Sequence, residues 1–263
     1  MSADFWNSSK EWLLSIHQLQ QARSSTLKLI TEQELVKLDI YYSSVIHHLA
    51  RSISHRVNTP VRQRAIASAL VYFKRFYTKN PIESLDPLLV CATCLYLACK
   101  ADECPVHIKS VVNEMKHLHG SSKFPYEANH IAEFEFYLLE DLNFFTVVYH
   151  PYRPLKQFLE HLKLDTNKNI SQHSNFVIND IYRTDLCLMH PPYIIALTSL
   201  YVICAIHRDE INQESIIEFF NTSQVDMQII VECAQILFNL YADWGDYCET
   251  QVPAILSKLN LEG

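Results

Sequence analysis

The 263-residue chain carries 29 acids against 22 Lys and Arg, a formal net charge of −7. That balance argues against a general nucleic-acid binder, which needs clustered cations for phosphate contacts. Three glycines are few for an all-β chain with Gly-rich turns, so the composition points to helices, and the length favours two domains of ordinary size.

The start, MSADFWNSSKEW, lacks the basic and apolar regions of a signal peptide, so the eight cysteines are expected to be reduced thiols. Residues 1–25 read as a short helix. Ser8 and Glu11 fit a capping box, and Trp12, Leu13, Ile16 and Leu19 form one apolar stripe. Phe5 and Trp6 precede that cap. Two large aromatics in a polar segment must dock, either on the same protein or on a partner.

Thr31 and Glu34 form a second capping box, followed by Leu35, Leu38, Tyr42, Val45, Ile46 and Leu49 at helical spacing. Arg51 to Asn58 reads as a polar break, and Thr59-Pro60 as the start of another helix. That helix carries Ala65, Ile66, Ala69, Leu70, Phe73 and Phe76 on one face. Arg62, Arg64, Lys74 and Arg75 lie on the other, a face expected to be solvated or to meet an acidic partner.

Leu88 to Glu103, LLVCATCLYLACKADE, is the stretch around which the rest is organised. Asp86 can cap its free N–H groups and Pro87 suits the first helical position. A helix apolar on every side is buried on every side. At roughly 13 apolar residues it falls short of the about 20 that span a bilayer. Lys100, Asp102 and Glu103 emerge at its end. They read either as a contact surface on the most rigid element or as solvated end charges, with Lys100 complementing the helix dipole.

His107 to His117 reads as a helix and Tyr126 to Asn143 as another, with Ile131, Phe134, Tyr137, Leu138 and Leu142 as its apolar residues. Two prolines in HPYRP (150–154) break regular helix and mark a domain boundary. Lys156 to Leu164 and Phe176 to Met189 read as helices, with Asp165 to Ser171 a polar loop between them. Pro191-Pro192 then opens a second apolar run, YIIALTSLYVIC. Shifted by 105 residues, Pro87 meets Pro192, Thr93 meets Thr198, Leu95 meets Leu200, Tyr96 meets Tyr201 and Cys99 meets Cys204. This is an internal repeat on a domain-sized period. The second copy has no counterpart of Lys100, Asp102 and Glu103, which favours the contact-surface reading of that cluster. Asn212 caps Ser215 to Phe220, Ser223 and Asp226 box the start of Met227 to Trp244, and Val252 to Leu261 is a short last piece.

Enzyme chemistry finds no constellation here. Cys91-x-x-Cys94 lies in the middle of an apolar helix, where a thiol is inert, and no second pair follows at zinc spacing. Cys104, His107, His117 and His119 match no metal site. A phosphate-binding glycine loop, a nucleophile elbow and an H-E-x-x-H motif are all missing.

Tandem helical domains, the first with a buried helix ending in Lys-x-Asp-Glu, resemble the cyclin box fold. More specific are FWNSS (Phe5 to Ser9), VYFKRFY (Val71 to Tyr77), SLDPLL (Ser84 to Leu89), FPYEANHI (Phe124 to Ile131), EFYLLE (Glu135 to Glu140), VYHPYRPL (Val148 to Leu155) and YRTDLCL (Tyr182 to Leu188). Over nearly the whole chain these resemble the cyclin family, and within it the cyclin C group of the Mediator kinase module. The resemblance implies an all-α fold of tandem five-helix cyclin-box domains with flanking N- and C-terminal helices. Residues 1–30 would be an N-terminal helix segment, 31–149 the first box, 150–247 the second and 248–263 a C-terminal tail.

It also implies a non-catalytic subunit that binds and activates a cyclin-dependent kinase of the Mediator complex, in the nucleus. The other kinase-module subunits would be further partners. No cofactor, metal, membrane or direct nucleic-acid contact is implied. Lys100 and Glu135 would correspond to the lysine of the kinase interface and its acidic partner. Asp102, Glu103, Tyr77, Phe5 and Trp6 would belong to the same interface, and Asn179, Asp180 and Arg183 would line an inter-domain groove. The first-box helix reads KLDIYYSSVIHHL where cell-cycle cyclins carry MRAIL, so docking of RxL substrates is not expected. The alternatives are a transcription factor IIB-like DNA-contacting factor with the same tandem fold, and a thiol or metal enzyme. The acidic charge disfavours the first and the missing ligand spacing the second.

Overall fold

The computed structural model describes residues 10–58 and 60–261. Ser8, and with it the Ser8–Glu11 box, Phe5 and Trp6 lie outside the described residues. All regular elements among the described residues are helices. They form two compact units, residues 10–148 together with 243–261, and residues 149–242.

The first unit is built on α4 (Pro87–Ala101), which packs against α2 (Glu32–Ser52), α3 (Gln63–Lys79), α5 (Ile108–His119) and α6 (Ala128–Asp141). Its start is as the residues dictate: the Asp86 carboxylate accepts the Leu88 N–H at 2.9 Å and Pro87 fills the first position. Cys91, Cys94, Leu95, Ala98 and Cys99 are fully buried. Burial pushes the Cys91 and Cys94 thiols well above their ordinary value, which keeps them protonated.

The Thr31–Glu34 box on α2 is reciprocal. Thr31 Oγ1 accepts the Glu34 N–H at 3.2 Å and Glu34 Oε2 accepts the Thr31 N–H at 2.9 Å. Thr31→Ala is therefore expected to cost about 1 kcal/mol, read as a lower denaturant midpoint with unchanged slope. The N-terminal helix α1 is Ile16–Ala22, shorter and later than the apolar stripe suggests, because Ser15 and Gln18 make the box that starts it. Trp12 and Leu19 are buried, but Ile16 is 59% exposed.

Three local readings are corrected. The segment after α2 is no break, since Ile53–Val57 continues as a π-helical turn, and α3 begins at Gln63 rather than beside Thr59-Pro60. The basic face of α3 is solvated only at its start, where Arg62 and Arg64 are exposed. Lys74 is buried with Nζ 3.3 Å from Asp39 Oδ2, and Arg75 is buried with its guanidinium 4.7 Å from the Trp12 ring centroid. Arg64 pairs with Asp102 at 2.7 Å. Buried cations require such partners. The last helix, α13 (Val252–Lys258), returns to α2: Val252, Ile255 and Leu259 are buried, and Lys258 Nζ meets Glu34 Oε1 at 2.5 Å.

The second unit repeats the plan. Its central helix α10 (Pro192–Ile206) packs on α7 (Tyr152–His161), α8 (Lys168–Ile181) and the short α9 (Leu186–Met189). The repeat holds at the level of atoms: Thr93 donates to the Leu89 carbonyl and Thr198 to the Ile194 carbonyl, each at 2.9 Å. Contrary to the proline argument, α7 starts inside HPYRP. Pro151 caps it and Pro154 falls in the first turn, where no N–H is needed; the first helical bond runs from Leu155 N–H to Pro151 O at 2.9 Å. Helix α8 begins at Lys168, inside the expected loop, because Asn167 caps it. It ends at Ile181, short of the expected Met189. Asn212 caps α11 (Gln213–Thr222) and Asp226 alone caps α12 (Met227–Gly245), since Ser223 closes α11.

Burial holds the imidazoles of His119 and His190 below the ordinary 6.5. A depressed histidine takes its proton more readily in the unfolded chain. Its contribution to stability is therefore intact above about pH 6.5 and lost as pH falls through the folded value. Thermal melts are expected to move down between about pH 7 and about pH 5, and His190→Gln to flatten part of that drop; flat melts across the window would contradict this.

Candidate functional site

The charged end of α4 is where its buried run meets solvent. Lys100 lies in the last turn with its side chain 45% exposed, and Nζ reaches Glu135 Oε1 on α6 at 2.6 Å. The ammonium also sits 5.1 Å from the centroid of the Tyr96 ring, one turn back. The bond to Glu135 raises the Lys100 pKa, with burial opposing. By linkage this pair's contribution is complete below the ordinary 10.5 and fades only as pH rises through the raised value, so it stands at neutral pH. Glu135 itself is buried, 8% exposed, so the two partners differ in their access to solvent. A buried carboxylate on one helix therefore fixes a half-exposed lysine on another.

The end of α4 is a Schellman motif. Cys104 N–H donates to the Cys99 carbonyl at 2.9 Å, and Glu103 between them is left-handed, φ 55°. That position favours glycine, and a glutamate there costs of order 1 kcal/mol. Strain of this kind persists where the surrounding structure over-determines it, often at functional sites. The strained turn holds the Glu103 side chain in solvent. Asp102 has another use. Its carboxylate accepts from Ser68 Oγ at 2.6 Å and pairs with Arg64 at 2.7 Å, tying α4 to α3.

Helix α6 ends the same way, with Phe144 N–H donating to the Leu139 carbonyl at 2.8 Å and Asn143 left-handed at φ 50°. Phe144 follows at φ 60°, where a bulky residue is an outlier. Lys79 donates to the Asp141 carbonyl and, at 2.9 Å, to Asn143 Oδ1; Asn80 Nδ2 donates to Asp141 at 2.7 Å; Tyr72 OH donates to the Thr146 carbonyl. The loop so pinned leaves Phe144 71% and Val147 61% exposed, while on α6 Phe136 is 72% and Tyr137 65% exposed. Sequence reasoning missed Phe136, Phe144 and Val147 and counted Tyr137 only among the apolar residues of its helix. The available signal was that Phe136 and Tyr137 crowd a stripe already filled by Phe134 and Leu138. Large apolar groups gathered on one element and its following loop mark an interaction surface.

Of the other residues singled out, Tyr77 is buried between Phe73 and Phe76, at ring distances of 4.9 and 5.0 Å, with its hydroxyl on the Leu85 carbonyl at 3.3 Å. It packs the core rather than presenting a face. In the second unit Asn179 accepts from Tyr152 OH at 2.7 Å and Asp180 from Tyr241 OH at 3.0 Å, and the Arg183 N–H donates to the Asp180 carbonyl at 2.9 Å. Burial raises the Asp180 carboxyl, opposed by Tyr241 and Arg183. These groups bind α8 to α7 and α12. Among the described residues no group of three His, Cys, Asp or Glu side chains is placed to hold a metal, and no helix is long and apolar enough to cross a membrane.

Residues 50–146 match the family model of the cyclin N-terminal domain. The chain is 36% identical to cyclin-C of Rattus norvegicus over 271 residues, covering 98% of this chain and 91% of that one. It is 34% identical to cyclin-C of Drosophila melanogaster over 270 residues, covering 98% and 97%. It is 36% identical to cyclin-C1-2 of Arabidopsis thaliana over 267 residues, covering 98% of each chain. In fold it is similar to a chain of the yeast TFIIK (Kin28/Ccl1/Tfb3) complex, with TM-score 0.67 and 23% identity, covering 87% of this chain and 96% of that one. It is also similar to a chain of the Chaetomium thermophilum CAK complex bound to ATP-gamma-S, with TM-score 0.71 and 21% identity, covering 99% and 90%.

Proposed function

The chain belongs to the cyclin family, in the cyclin C group, and we propose that it is the non-catalytic subunit that binds and activates a cyclin-dependent kinase of the Mediator complex. It thereby regulates transcription by RNA polymerase II in the nucleus, with the other kinase-module subunits as further partners. The observation that carries the site assignment is the Lys100–Glu135 pair beside exposed Phe136, Tyr137, Phe144 and Val147.

A kinase is active when its αC-helix glutamate is held against the ATP-site lysine and its activation loop is ordered. A rigid helical face supplies the ordering free energy. Phe136, Tyr137, Phe144 and Val147 lose water against the kinase, at about 25 cal/mol per Å² of apolar area. Lys100, aimed by Glu135 and Tyr96, donates to backbone carbonyls at the end of a kinase loop. Glu103, held out by its left-handed turn, pairs with kinase arginines where a phosphate would otherwise sit. Asp102 holds Arg64 and Ser68 and so keeps the end of α4 in register.

The test is co-elution of the chain with the Mediator-associated cyclin-dependent kinase on a sizing column, followed by phosphorylation of an RNA polymerase II tail peptide. Complex formation with a gain in activity is expected. Failure to bind that kinase or any close relative would overturn the proposal.

A further inference from the structure

Charge is unevenly spread along this acidic chain. Residues 40–82 hold seven of the 22 Lys and Arg and none of the 29 acids. Lys74 and Arg75 are buried, against Asp39 and Trp12, and Lys79 is bound to Asp141 and Asn143 at the end of α6. The other four, Arg51, Arg56, Arg62 and Arg64, are exposed around the junction of α2 and α3, with His48 and His55.

The junction is firmly built. After the π-helical turn Ile53–Val57, a type of turn that recurs at functional sites, Asn58 is left-handed at φ 55°. Ser54 Oγ donates to the Ala50 carbonyl at 2.8 Å and accepts the Val61 N–H at 3.1 Å, clamping the end of α2 to the approach to α3. Two of the guanidiniums are anchored from inside. Arg64 Nε lies 2.7 Å from Asp102 and Arg56 Nε 3.5 Å from Glu114, carboxylates only 7% and 9% exposed, yet the arginine side chains are 61% and 53% exposed. Arg56 Nη1 also contacts His117 on α5. Guanidinium has five N–H donors in a fixed fork, so an ion pair at the Nε edge leaves donors over. Side chains already held in place lose less entropy when a ligand arrives. Val57 and Leu118, next in sequence to Arg56 and His117, are 36% and 38% exposed.

We propose that this corner docks an acidic segment of a partner polypeptide, one that interleaves Asp or Glu with aliphatic side chains. It does not depend on the kinase reading of Lys100 and Glu135. The arginine forks take carboxylates in pairs, and Val57 and Leu118 take the aliphatic groups. Nucleic acid fits less well. Residues 47–64 contain no Phe, Tyr or Trp on which a base could stack, and the rest of the chain, with 15 cations against 29 acids, repels a long polyanion.

The experiment is fluorescence titration of the full chain with a labelled Glu-rich peptide carrying leucines, over a salt series. Single-stranded RNA of equal charge and a Lys-for-Glu peptide serve as controls. Saturable binding that weakens with salt is expected, with a loss of about tenfold or more in Arg51→Glu/Arg62→Glu and none in Lys100→Glu. Neither Arg51 nor Arg62 makes an ion pair among the described residues, so the fold should survive their reversal. Arg51→Gln/Arg62→Gln, expected to lose less, serves if it does not. Binding unchanged by both double variants, independent of salt, or never saturable would overturn the proposal. So would RNA binding tighter than the peptide and lost in the same variants, which would assign the corner to nucleic acid.

Discussion

Lys100→Glu is expected to abolish association with the partner kinase. The substitution removes an ammonium held 2.6 Å from Glu135 and sets a second carboxylate against a glutamate that is only 8% exposed. Losing one partner of a desolvated charge pair at an interface costs about 2–5 kcal/mol or more, which weakens binding by roughly 30-fold to several-thousand-fold. Lys100 itself is 45% exposed, so the helix should still form, but Glu135 is left buried without its cation and some loss of stability is expected alongside the loss of binding. Sizing-column co-elution and circular dichroism on one preparation read both quantities. Loss of cooperative melting in Lys100→Glu would show that the lysine is structural and remove it from the interface. The reciprocal Glu135→Lys is a poorer test, since it puts two ammonium groups together at a buried site and is expected to destabilise α6 as well. Phe144→Ala is the independent check on the face: weaker binding with an unchanged melt is expected, because the ring is 71% exposed.

Leu95→Ala is expected to lower the stability of the first unit by about 2–5 kcal/mol. Leu95 is fully buried in α4, which is packed by four other helices, so the lost methyl groups leave a cavity that little can collapse into. Its counterpart in the repeat, Leu200, is also fully buried, and Leu200→Ala is expected to cost the second unit a similar amount. Denaturant titrations of both variants measure this. A shift under about 1 kcal/mol in Leu95→Ala would mean that α4 is not the element on which the unit is built.

Much of the fold was legible because the signals are local. Asp86-Pro87, the Thr31–Glu34 box and the Asn212 cap are short-range chemistry, and each appears in the structure at the expected residues. Errors arose where a local rule met a compensation further along the chain. Pro154 reads as a breaker but falls in a first turn that needs no N–H from it. Lys74 and Arg75 read as a solvated face because nothing in their own helix reveals that Asp39 and Trp12 cover them.

The candidate site divides in the same way. Lys100 was marked by an apolar run ending in charge and by the missing charges in the second copy, both properties of the sequence itself. The exposure of Phe136 and Tyr137 had only a weak mark, their crowding of a stripe already filled by Phe134 and Leu138, and that of Phe144 had none. Aromatic residues in a helix are expected inside, and only the packing of α6 against α3, α4 and α5 fixes which of its rings are left out.

Periodicity, caps and an internal repeat depend on residues a few positions apart or on one constant shift, so the sequence alone determined that this is a tandem helical protein with two buried central helices. Which charges are spent inside and which remain for a partner depends on contacts between residues far apart in the chain. Glu135 with Lys100, Asp39 with Lys74 and Asp102 with Arg64 are such pairs, each 35 to 38 residues apart. The desolvation of those groups is set by the packed helices around them, and only the tertiary structure decided it.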